Sequence, residues 1–152
     1  MSLSANRSIP DCVVIPELAY ENVNEAAAWL CDRFGFVERL LIGNHRVQLM
    51  FGQGALVVTE KNSRRPVGPE ATPHADHTHS VMMRVPDIDR HHARAVQLGV
   101  RILRPPSDYP YGERQYTAED LGGHAWTFSQ TIADVDPASW GGVLKTATPE
   151  KR

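Results

Sequence analysis

The chain has 152 residues, 41% of them hydrophobic and 22% charged, which fits one folded domain with a sizeable core and sets aside disordered and fibrous classes. Its 16 Lys and Arg against 18 Asp and Glu leave a formal charge of −2, too little positive field to gather phosphate backbones or anionic lipid. No run reaches the ~20 apolar residues of a spanning helix, residues 1–7 lack the apolar stretch of a secretory signal, and Cys12 and Cys31 have neither disulfide-framework nor zinc-finger spacing. The expectation is a cytoplasmic protein with no nucleic-acid or membrane partner, its two cysteines serving as small packing residues.

In chain order, an apolar run from Val13 to Tyr20 predicts a first strand. Asn22 then offers an N-cap, and Glu25 three residues on completes a capping box. Val23, Ala26, Ala27, Leu30 and Phe34 fall on one helical face, and Gly35 stops the helix. Three short strands follow at Val37 to Ile42, Arg46 to Phe51 and Ala55 to Glu60, punctuated by Gly43-Asn44 and Gly52-Gln53-Gly54. Residues 62–78 carry three prolines and read as a linker. Ser80 to Val85 reads as a strand, and Asp87 caps a helix that runs to about Leu98. Val100 to Leu103, Arg114 to Glu119 and His124 to Gln130 supply three more strands. Pro105 to Pro110 is expected to be a proline-broken loop, and Asp120-Leu121-Gly122-Gly123 a turn. Residues 132–152 read as a loose tail, in which Trp140 is an odd residue to leave in water.

These elements repeat. Asn22 and Asp87 open the two helices at an offset of 65, and Gly54 to Thr59 can be laid on Gly123 to Phe128 at an offset of 69. The order strand, helix and three strands therefore occurs twice, in about residues 9–61 and 79–131. That order predicts an α+β fold of two βαβββ modules with curved mixed sheets and a concave cleft.

Tyr111-Gly112, Arg114, Tyr116, Asp120, Gly122-Gly123-His124, Trp126 and Phe128 complete the second copy. This ending, on a doubled βαβββ unit, resembles the vicinal oxygen chelate superfamily of glyoxalases, extradiol dioxygenases and bleomycin-resistance proteins, and within it the bleomycin-resistance-like branch. One departure is Leu121, where that turn usually carries proline. The resemblance covers residues 9–131 as a single domain and implies a homodimer with clefts that take small molecules.

The resemblance also implies where a metal would sit. Metal-dependent members place one ligand on the first and one on the fourth strand of each copy, because an ion that polarises two substrate oxygens needs firm imidazole and carboxylate donors. Counted from the helix caps and glycines, those places fall on Ile15, Val58, Ser80 and Thr127, none of them His or carboxylate. The expectation is no metal and no cofactor. A register slip of two preserves the facing and would put Glu17 and Glu60 at those places, still pointing into the cleft. His74, His77 and His79 form a dense imidazole cluster, but without the spacing of a known metal motif, and they read as a solvated loop.

Alternation along the strands selects the residues expected to face a ligand: Glu17, Glu60, Ser80, Met82, Arg84 and Thr127. Glu17, Glu60 and Arg84 read equally well as an internal ion-pair set. Tyr109 and Tyr111 offer planar stacking surfaces, and Arg114 follows them. The first functional reading is a binding protein that holds an amphipathic or aromatic small molecule. The alternative is a metal-dependent lyase, isomerase or dioxygenase. A third is an interaction protein that works through Trp140 and the tail. No nucleophile motif or phosphate loop competes with these.

Overall fold

Asn22 starts the first helix with its side chain: Oδ1 accepts the Glu25 N–H at 2.9 Å. The computed structural model describes residues 4–61 and 79–144, so the linker at 62–78, with His74 and His77, and the end of the tail lie outside the described residues. The described residues fall into two compact units: 4–61 with 120–124, and 79–119 with 125–144. In order they run β1 (Glu17–Tyr20), α1 (Val23–Phe34), β2 (Val37–Ile42), β3 (Arg46–Phe51), β4 (Gly54–Glu60), β5 (Val81–Arg84), α2 (Ile88–Gln97), β6 (Arg101–Tyr109), β7 (Glu113–Glu119) and β8 (Ala125–Thr131), with a final 3₁₀ turn at Pro137–Trp140. The fold is α+β, with the βαβββ order present twice.

In the first unit the sheet order is β1-β4-β3-β2, with β1 parallel to β4 and the other neighbours antiparallel. The helix buries Val23, Ala26, Ala27, Leu30 and Phe34, the five residues its apolar periodicity selects. Gly35 follows in the left-handed region at φ 83, and its N–H closes on the Cys31 and Leu30 carbonyls, so the helix stops there. Leu18, Tyr20, Val47, Leu49, Leu56 and Val58 alternate onto the helix side and are almost wholly buried.

The second unit repeats this as β5-β8-β7-β6. Asp87 accepts the Arg90 N–H at 3.1 Å, and Gln130 Oε1 takes the Ile88 N–H at 2.8 Å, so α2 begins with two of its orphan donors satisfied. Trp126, Phe128, Tyr116 and Ala118 form its core. The His91 ring lies 4.2 Å from that of Phe128, and Nδ1 shares a hydrogen bond with Tyr116 Oη. Burial pushes the Tyr116 phenol up from its ordinary range.

Two expectations change. Pro105 to Pro110 is not a loop for most of its length: β6 runs through it to Tyr109, accommodating the prolines as irregularities between Ile102, Arg104 and Ser107 on an edge strand that need not donate at every step. The described part of the tail is not loose either. Ile132 and Ala133 donate to the Gly112 carbonyl at 2.8 and 3.3 Å, Asp136 Oδ1 caps the 3₁₀ turn, and Trp140 packs against Tyr111.

Candidate functional site

Strand pairing decides which side chains share a face, because directly paired residues point the same way. Glu17 pairs with Val57, Leu18 with Val58 and Tyr20 with Glu60. The face of the first sheet turned away from α1 therefore carries Glu17, Val57 and Thr59 from β1 and β4, with Arg46 and Gln48 from β3. Val58 and Glu60 belong to the helix side. This corrects the expectation that Glu17, Val58 and Glu60 share a face, and it removes the possibility that Glu17 and Glu60 hold one ion together. The cause lies in the turns: β3 and β4 are joined over Gly52-Gln53, whereas five residues, 120–124, separate β7 from β8. The second turn is longer, so Val57 rather than Val58 is the counterpart of Thr127.

Glu17 lies 2.6 Å from Arg46 in a part-buried ion pair. Beside it, Arg39 Nη1 donates to Gln48 Oε1 at 2.6 Å. The N-terminal arm crosses here: Arg39 Nη2 donates to the Arg7 carbonyl at 3.0 Å and Gln48 Nε2 to the Ser8 carbonyl at 2.8 Å.

In the second unit Met82 pairs with Thr127, Arg84 with Ser129, Gln115 with Ser129 and Glu113 with both Thr131 and Tyr109. Met82, Arg84, Thr127 and Tyr109 thus share the open face with a polar network that the sequence reading did not single out. Glu113 is its centre. Its two carboxylate oxygens accept from Ser129 Oγ at 2.8 Å and Thr131 Oγ1 at 2.6 Å, Gln115 Nε2 donates to Ser129 Oγ at 3.1 Å, and Arg84 Nη2 donates to Thr131 Oγ1 at 3.0 Å. Thr117 and Thr127 share a hydrogen bond at 3.2 Å. The period-2 run Glu113-x-Gln115-x-Thr117 was the signal available in the sequence.

Tyr109 stacks on Tyr111 with ring centroids 5.3 Å apart and planes 14° from parallel, and the edge of Trp140 closes on Tyr111 at 5.4 Å. Arg114 goes elsewhere. It alternates to the α2 side, where Nε donates to Asp89 at 2.9 Å and Nη1 to Asp108 at 2.8 Å, and those two carboxylates raise its pKa. Its expected contact with a ligand is replaced by a helix–strand tie. Ser80 lies exposed, just before β5, and His79 beside it.

The residues at the places implied for metal ligands do not fit a transition ion. Ile15 and Val57 have no donor atoms, Ser80 and Thr127 are neutral hydroxyls, and the Thr127 hydroxyl is already engaged by Thr117. Among the described residues no three His, Cys, Asp or Glu side chains come together as a metal-binding group.

The 120–124 turn belongs to the first unit. Asp120 Oδ1 accepts from Gly122 and His124 N–H at 2.9 and 3.0 Å, and Oδ2 accepts from Tyr20 Oη at 2.6 Å. A Cβ on Gly122 would meet the Tyr20 ring at 2.7 Å, and Gly123 has φ 83. His124 Nε2 lies 2.9 Å from the Ala19 carbonyl oxygen. The most family-like stretch of the sequence is thus a structural clasp.

With this architecture in view, residues 12–128 match the Glyoxalase/Bleomycin resistance protein/Dioxygenase superfamily, and the chain belongs to it. Among solved structures it is similar to TioX from Micromonospora sp. ML1, with 32% identity, a TM-score of 0.61, and coverage of 78% of this chain and 97% of that one. A lactoylglutathione lyase from Agrobacterium tumefaciens (17% identity, TM-score 0.62, 87% and 98% covered) shares the fold. So does the fosfomycin resistance protein FosX from Listeria monocytogenes (16%, 0.60, 80% and 94%). No curated protein matches the chain.

Proposed function

We propose that the chain is a metal-free small-molecule binding protein, resembling bleomycin-resistance proteins, that takes an amphipathic aromatic ligand on the open face of its second unit. The observation that carries this is the pairing of Tyr109 with Glu113: a ring already backed by Tyr111 stands opposite a carboxylate held in place by two hydroxyls. Such a face suits a flat apolar body with a hydrogen-bond-donating or cationic group, the first stacking on Tyr109 and the second reaching Glu113. Met82, 62% exposed, adds an adaptable apolar floor, with Arg84 and Thr127 beside it.

Sequestration requires affinity and no transition-state stabilisation, so it does not need the missing donors at Ile15, Val57, Ser80 and Thr127. The reading includes a homodimer, as the family resemblance implies, and a place in the cytoplasm. The fold is shared with a fosfomycin resistance protein, and a protective role is part of this reading.

The test is calorimetry on untagged protein with bleomycin and a panel of planar cationic aromatics, alongside elemental analysis. Saturable binding to the metal-depleted protein, weakened in Glu113→Gln, is the expected result. A stoichiometric ion whose removal abolishes a lyase or dioxygenase activity would establish the metal-dependent alternative.

A further inference from the structure

The stretch after β8 holds more internal structure than its burial explains. The Ile132 and Ala133 N–H groups tie it to the Gly112 carbonyl at the tip of the β6–β7 hairpin, and a Cβ on Gly112 would stand 2.9 Å from Val135 Cγ2. Farther on, the 3₁₀ turn Pro137–Trp140 is closed three times over. The Ala138 N–H donates to Asp136 Oδ1 at 3.0 Å, Ser139 Oγ to the Asp136 carbonyl at 2.8 Å, and the Gly142 N–H to the Pro137 carbonyl at 2.8 Å. Yet no residue of that turn is buried. These bonds hold no core together; what they fix is the place of the Trp140 ring, which meets Tyr111 at 60° between planes.

Tyr111 in turn lies flat against Tyr109, the last residue of β6. A tyrosine at the end of an edge strand has two side-chain torsions to order, and ordering them when a ligand stacks on the ring costs affinity. Three rings packed in series meet that cost during folding instead. We propose that Trp140 is a positioning residue for the ligand face: it keeps Tyr111, and through Tyr111 the Tyr109 ring, in the plane on which an aromatic ligand stacks. This role rests on the reading of the Tyr109–Glu113 face as the ligand site, and it belongs to a segment beyond the superfamily match, which ends at residue 128. A segment that merely covered the hairpin tip would contribute to stability and leave affinity alone.

Trp140 is 45% exposed, so its truncation removes little buried surface and Trp140→Ala is expected to fold. Trp140→Phe keeps an aromatic edge. Both variants are made in the full chain. The probe is proflavine, a planar cationic aromatic, titrated by calorimetry. The stack itself is followed without ligand, by nuclear Overhauser contacts between the Tyr109 and Tyr111 rings; the chain has only 4 tyrosines, and Tyr109→Phe assigns the signal.

Trp140→Ala is expected to bind proflavine about fivefold more weakly and to lose the ring contacts, with its far-ultraviolet circular dichroism unaltered. Trp140→Phe should recover the contacts and bring affinity back to within about twofold. Intact ring contacts in Trp140→Ala, or lost contacts with unchanged affinity, would overturn the positioning role and leave the ligand face standing. No saturable proflavine binding by the unaltered protein would instead overturn the ligand reading, and this role with it.

Discussion

Tyr20 and Asp120 lie 100 residues apart in sequence, and the phenol donates to the carboxylate at 2.6 Å in a buried position. The same carboxylate organises the turn through Gly122 and His124, so one aspartate fixes both a turn and a core tyrosine. Tyr20→Phe removes the donor of a buried, charge-assisted hydrogen bond, for an expected loss of about 1–3 kcal/mol in chemical denaturation. Asp120→Ala removes all three bonds and is expected to cost more.

Alkali should expose the same design. Burial first, and then the charge and hydrogen bond of Asp120, raise the pKa of Tyr20, and burial raises that of Tyr116. An unfolded tyrosine ionises near pH ~10, so below that pH both states keep their protons and the contribution to stability is complete. Above it, unfolding releases protons that the folded protein retains, and stability falls as pH rises toward the folded values. Denaturation midpoints measured from pH 8 to 11 should decline at the upper end, and less steeply in Tyr20→Phe.

Gly122→Ala should destabilise the clasp by about 1–3 kcal/mol, because the new methyl meets the Tyr20 ring at 2.7 Å. Combining it with Tyr20→Leu should give less than the sum of the two single losses, since the obstruction disappears with the ring. Strict additivity in the double-mutant cycle would show that the cost lies in the backbone instead.

On the proposed ligand face, Tyr109→Ala and Glu113→Gln should each weaken binding by about tenfold, the equivalent of one stacking contact or one charge-assisted hydrogen bond. Arg114→Met should leave affinity unaltered and lower only the melting temperature, because its partners are Asp89 and Asp108. Isothermal titration of the three variants separates these roles.

Dialysis against a chelator should change neither the melting temperature nor ligand affinity, given Val57 and Thr127 at the fourth-strand positions. A drop in either would reveal an ion bound by residues other than those the family pattern marks.

Much of this architecture was legible because short-range physics wrote it: the Asn22 cap, the five-residue apolar face ended by Gly35, and β2 and β3 at their observed bounds. What alternation alone could not supply was the parity of β4. A two-residue turn in one copy and a five-residue turn in the other differ by an odd number of residues, and in a strand an odd shift exchanges the faces. Arg114 turns to the α2 side because it is one residue on from Glu113 in β7, and the importance of Glu113 comes from Ser129 and Thr131, which reach it only through strand pairing. The arm on Gln48 had no sequence signal, since its contacts use backbone carbonyls that every residue possesses.

Gly112 carries a practical lesson about where this protein ends. A Cβ there would lie 2.2 Å from the Ala133 carbonyl oxygen, so the hairpin tip and the stretch after β8 are fitted to each other at backbone distance. Sequence likeness to the superfamily stops at residue 128, but the cooperative structure does not. A fragment trimmed at that border would bare the Tyr111 ring, discard its Trp140 neighbour and invite self-association, so shortened versions for crystallisation should retain the chain through Gly142.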